Sequence, residues 1–141
     1  MCHSVYIVTD IDADLSIFNS EIVTYDKVKL NTTILSLPYK WHVGYKHGCS
    51  CHFRRLMPEN VDALGFAEPQ DWYKEDPQNI ESTKELYKTL KWILEHDGKL
   101  ELIDSWNDED MEGVLRREIA LSEVPEDKFR LFERHLFVIS K

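Results

Sequence analysis

Trp41-His42-Val43-Gly44-Tyr45-Lys46-His47-Gly48-Cys49-Ser50-Cys51-His52-Phe53-Arg54 sets two strand-like runs on either side of a short polar turn. In residues 41–45, Trp41, Val43 and Tyr45 alternate with His42 and Gly44, the period of two that a pleated strand imposes. Between the runs stands Lys46-His47-Gly48, whose glycine can take the positive φ of a hairpin turn. The stretch therefore predicts a β-hairpin of residues 41–45 with residues 49–54, and with it a sheet that has antiparallel neighbours.

Towards the N-terminus, residues 4–9 are short and rich in Val, Ile and Tyr, as a buried strand is, and the acidic run from Asp10 ends them. Residues 22–30 read as a strand of mixed alternation, and residues 33–37 as another, closed by Pro38. Residues 57–79 carry Pro58, Pro69 and Pro77 among Phe66, Trp72 and Tyr73. That mixture predicts a long surface segment pinned by its rings.

A helix then follows over about 82–97. Ser82-x-x-Glu85 has the form of a capping box, Leu86, Leu90, Ile93 and Leu94 recur at helical spacing, and Asp97-Gly98 supplies a stop. Residues 99–106 alternate Leu100, Leu102 and Trp106, and the acidic residues 107–113 connect them to a strand near 117–121. Residues 125–130 read as a helical turn before a last strand at 136–139. Strands without regular βαβ alternation imply an α+β fold, an antiparallel or mixed sheet packed by one main helix plus short helical turns, in a single domain over 1–141.

The 141 residues suffice to bury a core without disulfides or a structural metal. The net charge of −9 is uneven: residues 57–128 hold 20 Asp and Glu against 8 Lys and Arg, and residues 1–56 hold 5 against 6. An acidic body repels phosphate backbones, so nucleic acid is not an expected partner and a basic protein is. No apolar run is long enough to span a bilayer, and no signal-like segment opens the chain. A cytoplasmic location, no membrane partner and reduced thiols at Cys2, Cys49 and Cys51 are the corresponding expectations. Oligomeric state is left open.

The cysteines carry the most concentrated chemistry, and the length of the turn decides their surroundings. With a three-residue loop and Gly48 left-handed, Tyr45 opposes Cys49, Val43 opposes Cys51, and the thiols enter an apolar core layer. With a two-residue loop the register slips, and the thiols share a face with Lys46, Gly44 and His42. Cys2, Cys49 and Cys51 with His42, His47 or His52 would then supply the soft four-coordinate set that zinc prefers. Buried cysteine packing and a reactive thiol near Lys40, Lys46, Arg54 and Arg55 are the other readings.

Two aspartate patterns offer alternatives. Asp10, Asp12, Asp14, Ser16, Ile17 and Glu21 match EF-hand calcium positions, but Leu15 stands where the loop needs Gly. A strand followed by Asp10-x-Asp12-x-Asp14 also resembles the first motif of haloacid-dehalogenase-type phosphatases. That resemblance implies Asp10 as phosphoryl acceptor, Asp12 as acid and base, and Asp104 with Asp108 as magnesium ligands, although Asp14 stands where the family has Thr. A solvated turn is the plainer explanation of both. The acidic run Asp104, Asp108, Glu109, Asp110 and Glu112 reads in the same way as a wet loop.

Met1-Cys2, Tyr6-Ile7, Thr9-Asp10, Val43-Gly44 and Gly48-Cys49-Ser50-Cys51-His52-Phe53 together resemble a family of small uncharacterised bacterial proteins. Those proteins open with Met-Cys and carry Gly-Cys-x-Cys-x-Phe; here Ser50 and His52 replace glycines. The resemblance implies a joint role for Cys2, Cys49 and Cys51 and brings no mechanism with it. Three functions follow as expectations: a clustered cysteine site for zinc or another soft metal, an acidic immunity-like module that binds a basic protein, or a magnesium-dependent Asp-x-Asp enzyme.

Overall fold

A computed structural model describes residues 3–29, 35, 37–56, 75–105 and 114–141. Its strands are β1 (Ser4–Thr9), β2 (Val23–Val28), β3 (Tyr39–Tyr45), β4 (Arg55–Leu56), β5 (Leu100–Ser105), β6 (Leu115–Ala120), β7 (Leu131–Phe132) and β8 (His135–Ser140), with helix α1 (Pro77–Glu95) between β4 and β5. Six strands form one mixed sheet in the order β2-β3-β1-β5-β8-β6, and β4 pairs with β7 in a separate two-stranded one. The neighbours are antiparallel from β2 to β8, whereas β6 runs parallel to β8 and β4 parallel to β7. Among the described residues there is one long helix, with short 3-10 turns at Leu15–Phe18 and Leu121–Glu123, which is the expected α+β architecture.

The sheet has a core on each face, because successive strand side chains point in opposite directions. Val5, Ile7, Leu100, Leu102, Phe137 and Ile139 join Leu86, Leu90, Ile93 and Leu94 of α1 in the larger cluster. Tyr6, Val8, Ile103 and Leu136 form the smaller one with Leu35. Lying at the centre, β5 is buried at all six positions, so its expected one-sided alternation is not observed.

The helix starts earlier than its sequence spacing predicts. Asp76 is the N-cap, its carboxylate accepting from the Gln78 N–H, and Pro77 occupies the first turn where its missing N–H costs nothing. Ser82 is instead an interior residue, fully buried, donating to the carbonyls of Asn79 and His52. At the other end Asp97 (φ 59°) takes the left-handed position, with Asp97 N–H bonded to Leu94 O at 3.1 Å and Gly98 N–H to Ile93 O at 3.0 Å. Gly98 is favoured for another reason: a Cβ there would overlap the Ile11 side chain, 2.7 Å from its Cγ1, and lie 2.9 Å from Ile93 Cγ2.

The predicted hairpin partner of β3 is absent, since residues 49–54 form no strand. Both edges of β3 are already taken: Val43 pairs with Val5 of β1 on one side and Tyr25 of β2 on the other. The chain must leave the sheet after the turn, and it does so across Gly44, whose absent Cβ would sit 2.6 Å from the Gly48 carbonyl. The predicted 33–37 strand, apart from Leu35 and Leu37, lies outside the described residues, as do 57–74 of the aromatic segment and the 107–113 connection.

Candidate functional site

The turn that delivers the cysteines is closed by Gly48 N–H to Tyr45 O at 2.9 Å. Lys46 (φ 52°) and His47 (φ 63°) hold the two left-handed positions, rather than Gly48. Tyr45 N–H then bonds Cys49 O at 3.2 Å, so Tyr45 opposes Cys49 as in the three-residue loop. The thiols nevertheless stay out of the core: Cys49 and Cys51 are both half-buried, because the segment carrying them has left the sheet.

Between them, Ser50 is fully buried. Its hydroxyl accepts from Val5 N–H at 3.0 Å and donates to Val43 O, bridging the paired residues of β1 and β3. The Ser50 N–H donates to His3 O at 3.1 Å. With the serine fixed inward from both sides, the flanking sulfurs stand 3.1 Å apart.

A buried carboxylate lies behind this segment. Asp104 of β5, 2 % exposed, receives Arg55 through Nε (2.7 Å) and Nη2 (3.1 Å), while Arg55 Nη1 reaches Cys51 O at 3.4 Å. His3 Nδ1 is 3.6 Å from the same carboxylate. One residue earlier, Arg54 forks onto Glu75 at 2.7 and 2.6 Å and donates to Asp127 O, and Arg130 joins Glu75 at 2.9 and 3.2 Å. Burial alone would raise the Glu75 pKa, but hydrogen bonds from Arg54 and Arg130, and their charges, hold it down at about 2.

The expected ligands are only partly gathered. Cys49 and Cys51 meet, and Cys2 lies outside the described residues. His42 meets the Tyr6 ring edge-on with Nε2 3.5 Å from the Ser50 hydroxyl, His47 is exposed and 3.9 Å from Asp26, and the centre of the His52 ring lies 4.5 Å from that of Tyr45. Among the described residues no group of three or more His, Cys, Asp or Glu side chains is placed to hold a metal ion.

The aspartate alternatives are separated by topology. Because β1 and β5 are antiparallel, Asp10 lies beside Lys99, whose N–H it accepts at 2.7 Å, while Asp104 lies at the far end beside Val5. The phosphatase resemblance implies alternating βαβ units, whereas β1 and β5 are antiparallel neighbours. Asp12 and Asp14 border an open depression of about 460 Å³ with Asp26 and Trp41, Asp108 is outside the described residues, and Asp14 caps the Leu15–Phe18 turn by accepting from Ser16. A strand, where an EF-hand has a helix, precedes this run.

Nothing in the sequence marks Ser50 or Glu75 as organising residues, since each acts through partners far along the chain. The adjacency of Arg54 and Arg55 to the cysteines is the sole local signal. Comparison with protein-family models, curated proteins and solved structures gave no match. No described helix is long and apolar enough to cross a membrane.

Proposed function

We propose that Cys49 and Cys51 form a working dithiol that exchanges with disulfides in the cytoplasm. The observation that carries this reading is the 3.1 Å separation of two half-buried sulfurs on a segment whose central serine is immobilised. A bonded pair needs about 2.05 Å, so closure asks for a movement of about 1 Å. Two thiols are also a complete set for this chemistry, whereas zinc requires further ligands.

In the reaction, the thiolate of one cysteine attacks a substrate disulfide, forms a mixed disulfide and expels one substrate thiolate. The second thiolate attacks the protein sulfur of that mixed disulfide and expels the other. The substrate gains two electrons, the protein loses them, and Cys49–Cys51 becomes a disulfide. Mass spectrometry in a glutathione redox buffer should show the protein 2 Da lighter when oxidised, and Cys51→Ser should accumulate the mixed disulfide at Cys49. Thiols that stay free across the whole buffer range would overturn the reading.

A second reading keeps the soft-metal site of Cys2, Cys49 and Cys51. It is favoured by the Ser50 N–H to His3 O bond, which places the sequence neighbour of Cys2 against the residue between the thiols. Sulfurs sharing one tetrahedral zinc, with Zn–S bonds of about 2.3 Å, lie roughly 3.8 Å apart, so the pair would open on binding. Elemental analysis of protein purified without a metal-affinity tag separates the two readings. Stoichiometric zinc lost in Cys2→Ser supports the metal, and its absence retires it.

A further inference from the structure

Resting on the dithiol reading, we infer that Asp104 and Arg55 form a clamp that sets the redox poise of Cys49 and Cys51 by holding their backbone. Neither residue touches a sulfur in the contacts described above, so both are positioning residues. The Cys-Ser-Cys segment is held at three points. Ser50 Oγ bridges Val5 N–H and Val43 O, Ser50 N–H is taken by His3 O, and Cys51 O is reached by Arg55 Nη1.

The first two points belong to the sheet and the chain entering it. The third is set by Asp104, because a guanidinium is a rigid planar fork. With Nε and Nη2 fixed on the two carboxylate oxygens, Nη1 has a determined position, and the Cys51 carbonyl lies there. Asp104 is itself buried, 2 % exposed in the central strand opposite Val5. A single buried carboxylate thus faces the guanidinium that grips Cys51 and lies 3.6 Å from His3, the residue that grips Ser50.

Such a clamp acts on the dithiol rather than on either thiol alone. Ring closure is favoured by the effective concentration of one sulfur at the other, and restricting the segment raises it. Releasing Cys51 lets the reduced pair spread, which favours the open dithiol. Asp104→Asn alone would leave a buried Arg without its counter-charge, so the informative variant removes both partners. Replacing a buried pair by apolar residues of similar volume is often neutral for folding.

The test compares wild type with the Arg55→Met/Asp104→Leu double variant in reduced and oxidised glutathione, the Cys49–Cys51 disulfide being quantified by mass spectrometry and the fold by circular dichroism and thermal melting. The expected result is an equilibrium constant for disulfide formation about tenfold lower in a folded variant, equivalent to about 30 mV. Arg55→Lys retains the charge of the pair but cannot span both carboxylate oxygens and Cys51 O, so it should show the same loss and serves if the double variant does not fold. A folded variant with the wild-type constant overturns the clamp and leaves the dithiol standing. Failure of the wild-type protein to close the disulfide overturns the dithiol reading and the clamp with it.

Discussion

At the scale of single residues, the strongest electrostatic commitment in the described structure is the sharing of Glu75 by Arg54 and Arg130. The arginine side chains are 5 % and 0 % exposed and that of Glu75 is 10 %, so the three charges gain little from solvent. Their attraction must offset a large desolvation cost, which makes the loss of one partner worse than the loss of all. Glu75→Gln should therefore destabilise the fold by about 3–5 kcal/mol, measured by urea unfolding at pH 7. The pH dependence has a definite sign. A carboxyl held at about 2 when folded, against roughly 4.3 when unfolded, stabilises fully above the unfolded value and loses that contribution as pH falls towards 2. Wild type should lose stability across that window more steeply than Glu75→Gln, and superimposable slopes would dismiss the assignment.

At the scale of elements, local chemistry predicted what local chemistry controls. β1 has the boundaries expected of residues 4–9, and the apolar stripe Leu86, Leu90, Ile93 and Leu94 faces the sheet core as its spacing requires. Ends were harder to read, because Ser82 has the composition of a cap but lies one and a half turns inside α1, where tertiary burial decides its role. The helix stop shows how two residues of one motif can have different tasks. Asp97 bears the left-handed φ, which strains a residue with a Cβ by about 1–2 kcal/mol, while Gly98 bears the close approach of Ile11. Asp97→Gly should accordingly leave stability unchanged or raise it by up to about 1 kcal/mol, as relief of strain is opposed by the freer unfolded chain. Gly98→Ala should lower it by at least about 1 kcal/mol through overpacking. Thermal melts of the two variants moving in the same downward direction by equal amounts would refute this division.

At the scale of the whole molecule, the fate of the cysteines was hidden from the sequence because it depends on strand order. Turn chemistry proposes a partner for β3, but only the assembled sheet reveals that β1 and β2 have occupied both of its edges. The segment expelled from the ladder is then recaptured by one side chain, Ser50, which replaces a strand with a single hydroxyl spanning β1 and β3. That places an unusual share of the connection between hairpin, central sheet and thiols on one atom. Ser50→Ala removes this atom and leaves the buried Val5 N–H and Val43 C=O without it, at about 1–3 kcal/mol for each group left unsatisfied. Against a total stability of roughly 5–15 kcal/mol for a domain of this kind, a loss of about 2–6 kcal/mol should be plain in chemical unfolding. Its location is equally specific: the Val5 amide should exchange with solvent faster than those of Ile7 and Val8, and the equilibrium for closing Cys49–Cys51 should fall in the same variant. Lost stability with an unchanged disulfide equilibrium would separate the serine hydroxyl's structural role from the thiols, and the positioning of the pair would then rest on Arg55 with Asp104 and on the backbone bond to His3.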